Sequence, residues 1–191
     1  MKFHETDLAD AVLIEPTPFE DHRGSFARTF CVDEFRNAGL ETTFVQQNAS
    51  FNHASGTLRG MHFQLADHAE VKVVRCVAGA IFDVVVDLRP RSPSYLAWQG
   101  FELSEANGMQ LYVPRGFAHG FVTLRELTSV AYLVSTGYAP GAEGGLRWND
   151  PLIGIAWPVE IVVLSDKDAQ WPDYRPESSN PAATRHTGGP Q

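Results

Sequence analysis

A chain of 191 residues, 43% hydrophobic and 20% charged, has the size and composition of one globular domain built on a single core. Those values exclude a chain too polar to fold, and no apolar run reaches the roughly 18 residues of a membrane-spanning helix. A formal charge of −8, from 15 Lys and Arg against 23 Asp and Glu, opposes a nucleic-acid partner but leaves room for a small phosphorylated ligand in a local basic pocket.

Met1–Asp7 lacks the apolar segment of a leader, so a cytoplasmic location is expected. Short β-branched runs broken by turn residues then predict strands at Ala11–Glu15, Ser25–Cys31, Thr43–Gln46, Leu58–Gln64, Val71–Ala78, Ala80–Leu88, Ala97–Leu103, Gly108–Val113, Gly120–Leu124 and Ser129–Ser135, with a weaker one at Ile161–Leu164. A short helix is expected at Val32–Ala38, with Gly39 as its stop. Such a series of short strands is the pattern of an all-β sandwich or barrel. Gly79, which takes φ > 0 cheaply, suggests a hairpin between Val71–Ala78 and Ala80–Leu88. Along its second strand Asp83, Val85 and Asp87 share a face, and periodicity leaves that face either solvated or part of a polar barrel interior. Cys31 and Cys76 are too far apart for a metal-binding CxxC pair and read as ordinary thiols. Residues 1–172 are expected to form the domain, and the Pro-, Ser- and Gly-rich residues 173–191 a flexible tail.

Gly108, Pro114, Gly116 and His119 form the spacing G-x5-P-x-G-x2-H. It resembles the second motif of the cupin superfamily, jelly-roll barrels in which that histidine points inward. Gly56 and His62 match the opening of the first cupin motif, but Gln64 stands where a second histidine ligand would be, and His68 or Ala69 where a glutamate would be. His62 and His119 are too few to hold a transition metal, so no metal is expected. His4, His22, His53, His68 and His186 are assigned to the surface or to turns. Alternation along Leu58–Gln64 aims Gly60, His62 and Gln64 to one face, with Arg59 beside them and Lys72 one strand on.

Seven segments carry a closer resemblance: 21–26 (DHRGSF), 44–48 (FVQQN), 58–64 (LRGMHFQ), 82–89 (FDVVVDLR), 113–121 (VPRGFAHGF), 148–151 (WNDP) and 164–168 (LSDKD). In this order they are similar to the dTDP-4-dehydrorhamnose 3,5-epimerase family, over about residues 11–172. The resemblance implies a cupin-type double-stranded β-helix with a few short helices, acting on a nucleotide-linked 4-keto-6-deoxyhexose without a cofactor. It implies His62 as the base, Asp168 as the carboxylate behind it, Tyr132 as the proton donor on the opposite face and Lys72 at the enolate oxygen, with His119 nearby. Without the resemblance, Asp168 reads equally as a loop acid and Tyr132 as a core aromatic. Arg23 and Arg59 match the positions that hold the diphosphate, Gln46 and Asn48 the polar contacts, Glu143 and Lys167 further binding positions, and Tyr138 the aromatic that stacks on the base. Family dimers exchange an N-terminal strand, so a homodimer is expected in which Arg23 serves the partner's site. Arg28 departs from the pattern by standing where the family carries a glutamate. Arg23, Arg28, Arg59, Lys72 and Lys167 are expected to line one pocket. Inversion at only one centre, action on another deoxysugar nucleotide, a metal-dependent cupin and a non-catalytic sugar-binding cupin are the alternatives.

Overall fold

Val, Ile, Phe and Tyr at alternating positions fit a pleated surface with one buried face. In a computed structural model describing residues 1–176, the strands are β1 (Lys2–Glu5), β2 (Val12–Glu15), β3 (Phe19–Asp21), β4 (Gly24–Phe26), β5 (Gln46–Asn52), β6 (Leu58–Gln64), β7 (Lys72–Ala78), β8 (Ala80–Asp87), β9 (Trp98–Ser104), β10 (Gln110–Val113), β11 (Phe117–Thr123), β12 (Thr128–Val134) and β13 (Glu143–Gly145). The short helices α1 (Val32–Asn37) and α2 (Asp166–Ala169) complete the fold. One sheet has the order β1-β2-β10-β7-β12-β5 and the other β13-β6-β11-β8-β9, while β3 and β4 form a separate hairpin. The two sheets face each other as the cupin-type jelly roll.

Between the sheets lies a core of Val74, Cys76, Ile81, Val85, Leu103, Leu111, Phe117, Phe121 and Val130. Its other end is polar and open. Outside the first sheet, α1 docks through Phe35, fully buried and edge-on to Phe3, Phe30 and Phe44. Burying one such ring contributes about 1.5–3 kcal/mol. Outside the second sheet, Met61, Val84, Val86 and Ala118 are covered by Leu146, Ile153, Ile155, Trp157 and Tyr174. Each sheet is therefore packed on both faces.

Several expectations change. β7 and β8 are not a hairpin: β7 pairs with β10 and β12, whereas β8 pairs with β9 and β11. Gly79, at φ +78, is a corner where the chain crosses between sheets, and a Cβ there would meet Thr128 Oγ1 at 2.3 Å. The strand expected at Ser25–Cys31 stops at Phe26, because the chain leaves the hairpin to carry Phe30 onto Phe35. The one expected at Thr43–Gln46 begins at Gln46 and runs to Asn52. Ile161–Leu164 makes only a single bridge, Thr57 to Val163. Near the expected boundary, Asp173 pairs with Arg147 at 2.7 Å and the Tyr174 backbone N–H donates to Asp150. His186 and most of the expected tail lie outside the described residues.

Candidate active site

The polar end of the barrel encloses a cavity of about 430 Å³. On β8, Asp83 shares the inward face with Ile81 and Val85 and is fully buried, so the carboxylate face left open by periodicity points inside. Of the residues assigned to the site from sequence, Gln46, Asn48, Arg59, His62, Lys72, His119, Tyr132, Tyr138, Glu143, Lys167 and Asp168 all line this cavity. Arg23 does not: it sits on the exposed β3–β4 hairpin and pairs with Asp21. Arg28 does not either, being 62% exposed and bound to Glu34 at 2.7 Å. The basic pocket of the chain itself is thus Arg59, Lys72 and Lys167.

His62 and His119 are register partners on β6 and β11. Between that pair and the next, Arg59 with Phe121, the register shifts, so β6 spends three residues where β11 spends two. That bulge breaks the two-residue period and lets Arg59 and His62, on opposite parities, line the same cavity. It is possible because the strands nearly touch there: a Cβ on Gly60 would lie 2.6 Å from Gly120 Cα.

His62 Nε2 donates to Asp168 Oδ1 at 2.6 Å. Burial pushes the Asp168 carboxyl up, but the His62 hydrogen bond and charge, with the Gly60 N–H and Ser165, outweigh it and hold the group below the usual carboxylate range. An ionised carboxylate only accepts, so in the neutral imidazole the hydrogen sits on Nε2 and the lone pair on Nδ1. Ser165 caps α2 by accepting from the Asp168 N–H at 3.1 Å, setting the carboxylate's position. On the neighbouring strands His119 Nε2 and Asp83 Oδ1 are 2.8 Å apart, both side chains buried.

Tyr132 reaches into the cavity from β12 in the opposite sheet, edge-on to His119 with ring centroids 6.5 Å apart. Burial pushes its phenol well above the ordinary value. Most basic side chains here already have acids: Lys72 pairs with Glu70 at 2.9 Å and Lys167 with Glu143 at 2.7 Å. Arg59 instead bonds neutral groups, its Nε donating to Asn52 Oδ1 at 2.7 Å, and forms no ion pair among the described residues. It is the lining cation best placed to meet an anion.

Sequence reasoning passed over Ser50, Phe63, Glu70, Phe121, Val134 and Ser165 as lining residues, whereas Gln64, aimed to the face of His62, does line the cavity. Ser50 had a signal, two positions beyond Asn48 on the same face; Glu70 had none. Gln64 holds the rim together, donating to Glu70 Oε2 at 2.6 Å and accepting from the Ala139 N–H at 3.0 Å. Among the described residues no group of three or more His, Cys, Asp or Glu side chains is arranged to hold a metal, and no helix is long and apolar enough to cross a membrane.

This geometry agrees with comparisons across the chain. The family model described as dTDP-4-dehydrorhamnose 3,5-epimerase matches residues 5–175. The chain belongs to the dTDP-4-dehydrorhamnose 3,5-epimerase family. It is 46% identical to the dTDP-4-dehydrorhamnose 3,5-epimerase of Sinorhizobium fredii, covering 90% of this chain and 89% of the relative. The crystal structure of the Elizabethkingia anophelis epimerase superimposes with a TM-score of 0.88 at 42% identity, over 91% of this chain and 96% of that one. The Bacillus anthracis epimerase, solved with TDP and PPi bound, gives 0.88 at 43% identity, over 91% of this chain and 99% of that one. Members of the epimerase family are isomerases acting on carbohydrates, and the His–Asp pair and the phenol described above occupy the cavity of this member.

Proposed function

We infer that the protein epimerises dTDP-4-dehydro-6-deoxy-D-glucose at C3 and C5, giving dTDP-4-dehydro-L-rhamnose. The carrying observation is that the His62–Asp168 pair and the Tyr132 phenol enter one cavity from opposite sheets. The C4 ketone acidifies the hydrogens on C3 and C5, so an acid, a base and an oxyanion partner suffice. His62 Nδ1 removes one hydrogen, leaving an enolate, and Tyr132 delivers a proton to the opposite face. Such groups contribute about 10²–10⁴-fold each. Lys72 and His119 face the developing oxyanion. Arg59 takes the diphosphate and Tyr138, 59% exposed at the rim, stacks on the base. Gln46, Asn48, Glu143 and Lys167 complete the contacts.

A homodimer supplies Arg23. The β3–β4 hairpin has Phe19 and Phe26 as cross-strand partners, 77% and 75% exposed, a large apolar pair for a monomer to leave in water. Its expected role is to reach a second copy's cavity. The thiols of Cys31 and Cys76 are both free, which fits a reducing cytoplasm. The test is nuclear magnetic resonance of dTDP-4-keto-6-deoxyglucose with enzyme in deuterated water. Deuterium at both C3 and C5 of an inverted product is expected; deuterium at one carbon alone restricts the reaction to that centre, and none at either overturns the reading.

A further inference from the structure

The inner face of β5 presents Gln46, Asn48 and Ser50 at the strand's two-residue period. Asn48 is the direct partner of Tyr132 across the strands, and Ser50 stands opposite Val130. The Tyr132 hydroxyl nonetheless leans along β5 past Asn48 to Ser50 Oγ, at 3.1 Å. Among the described residues this is the only hydrogen bond of either hydroxyl. The other flank of the ring is set by His119, itself tied to Asp83. The phenol is held between a fixed imidazole and one serine.

We propose that Ser50 is the positioning residue of the acid, holding the Tyr132 hydroxyl toward the reacting carbon and then donating to the phenolate. This rests on Tyr132 being the acid. In the step, the Tyr132 O–H bond breaks with its electron pair left on oxygen, and the enolate's pair forms the new C–H bond with the proton. Water later returns a proton to the phenolate. Burial and the nearby Asp83 charge both disfavour that phenolate, while the Ser50 hydroxyl and Arg59 favour it. Of these, only Ser50 touches the oxygen.

Positioning can be separated from general damage because His62 works without Tyr132. A base that takes a hydrogen and returns deuterium on the same face labels the substrate without inverting it. The experiment compares wild type, Ser50→Ala, Ser50→Thr and Tyr132→Phe on dTDP-4-keto-6-deoxyglucose in deuterated water, reading inverted product against label in recovered substrate. In Ser50→Ala, inversion is expected to fall about 10–100-fold, the loss of one hydrogen bond to a charged group, with labelling nearly unchanged. Ser50→Thr restores inversion, and Tyr132→Phe loses it while keeping the label. A wild-type ratio in Ser50→Ala, with inversion lost in Tyr132→Phe, overturns the proposal and leaves the acid assignment standing. Equal loss of both signals in Ser50→Ala, uncorrected by Ser50→Thr, overturns it as general damage. Full inversion by Tyr132→Phe overturns the acid assignment and the proposal together.

Discussion

At the scale of single residues, a carboxylate behind an imidazole fixes the tautomer and offsets the charge that forms on proton abstraction. Asp168 is placed for both, with 4% of its surface exposed and Oδ1 2.6 Å from His62 Nε2. Asp168→Asn keeps the shape but removes the charge and permits the wrong tautomer. Steady-state kinetics should show kcat falling about 10³–10⁴-fold. The same substitution should alter the acid limb of stability. Because the fold holds the Asp168 carboxyl below its ordinary range, the unfolded chain takes up its proton first as pH drops. The stabilisation is therefore complete above about pH 4 and is lost as pH falls through the lower folded value. Urea midpoints measured across that window should decline less steeply in Asp168→Asn than in wild type; identical slopes would remove Asp168 as the source.

At the scale of elements, the site depends on how closely β6 and β11 approach. Gly120 has less room than any ordinary side chain needs, with Arg59 O 2.8 Å and Gly60 Cα 2.9 Å from where its Cβ would be. Gly60→Ala and Gly120→Ala should each lower stability by about 1–3 kcal/mol through overpacking and depress kcat further by moving Arg59, His62 and His119. Gly137→Ala, whose Cβ would meet only Gln46 Oε1 at 3.7 Å, is the control and should leave the melting temperature near that of wild type. This crowding also explains what was legible in the sequence. Apolar alternation located β7, β8, β9 and β10 because their inward faces fill the core. It passed over most of β5, whose sequence QQNASFN is polar since its inner face lines the cavity, and the bulge that brings Arg59 to the same cavity as His62 leaves no mark on hydrophobic pattern. The turn at Gly79 was visible, but pairing was not: a one-residue link between two apolar runs looks alike whether the chain doubles back or changes sheets. His62 and His119 could be found by motif, whereas Glu70 and the partnership of Asp83 with His119 exist only once strands distant in sequence are side by side.

At the scale of the molecule, the unresolved element of the charge arithmetic is Arg23. Within its own chain it is 78% exposed and held by Asp21 on a hairpin whose aromatic residues face water, and the homodimer proposed above gives that hairpin a surface to cover. In a two-fold dimer with exchanged hairpins, each cavity takes His62 from one chain and Arg23 from the other. Arg23→Ala and His62→Ala homodimers are then both impaired, for different reasons. Mixing the two after mild unfolding and refolding produces heterodimers in which one cavity lacks both groups and the other has both intact. Random assortment makes half the dimers mixed, so activity should recover to about a quarter of wild type. Recovery no greater than the average of the two parents would mean that Arg23 acts within its own chain or not at all. Sedimentation velocity on the same samples separates the cases, since an exchanged arm that fails to complement still leaves a dimer, whereas a monomer overturns the exchanged arm altogether.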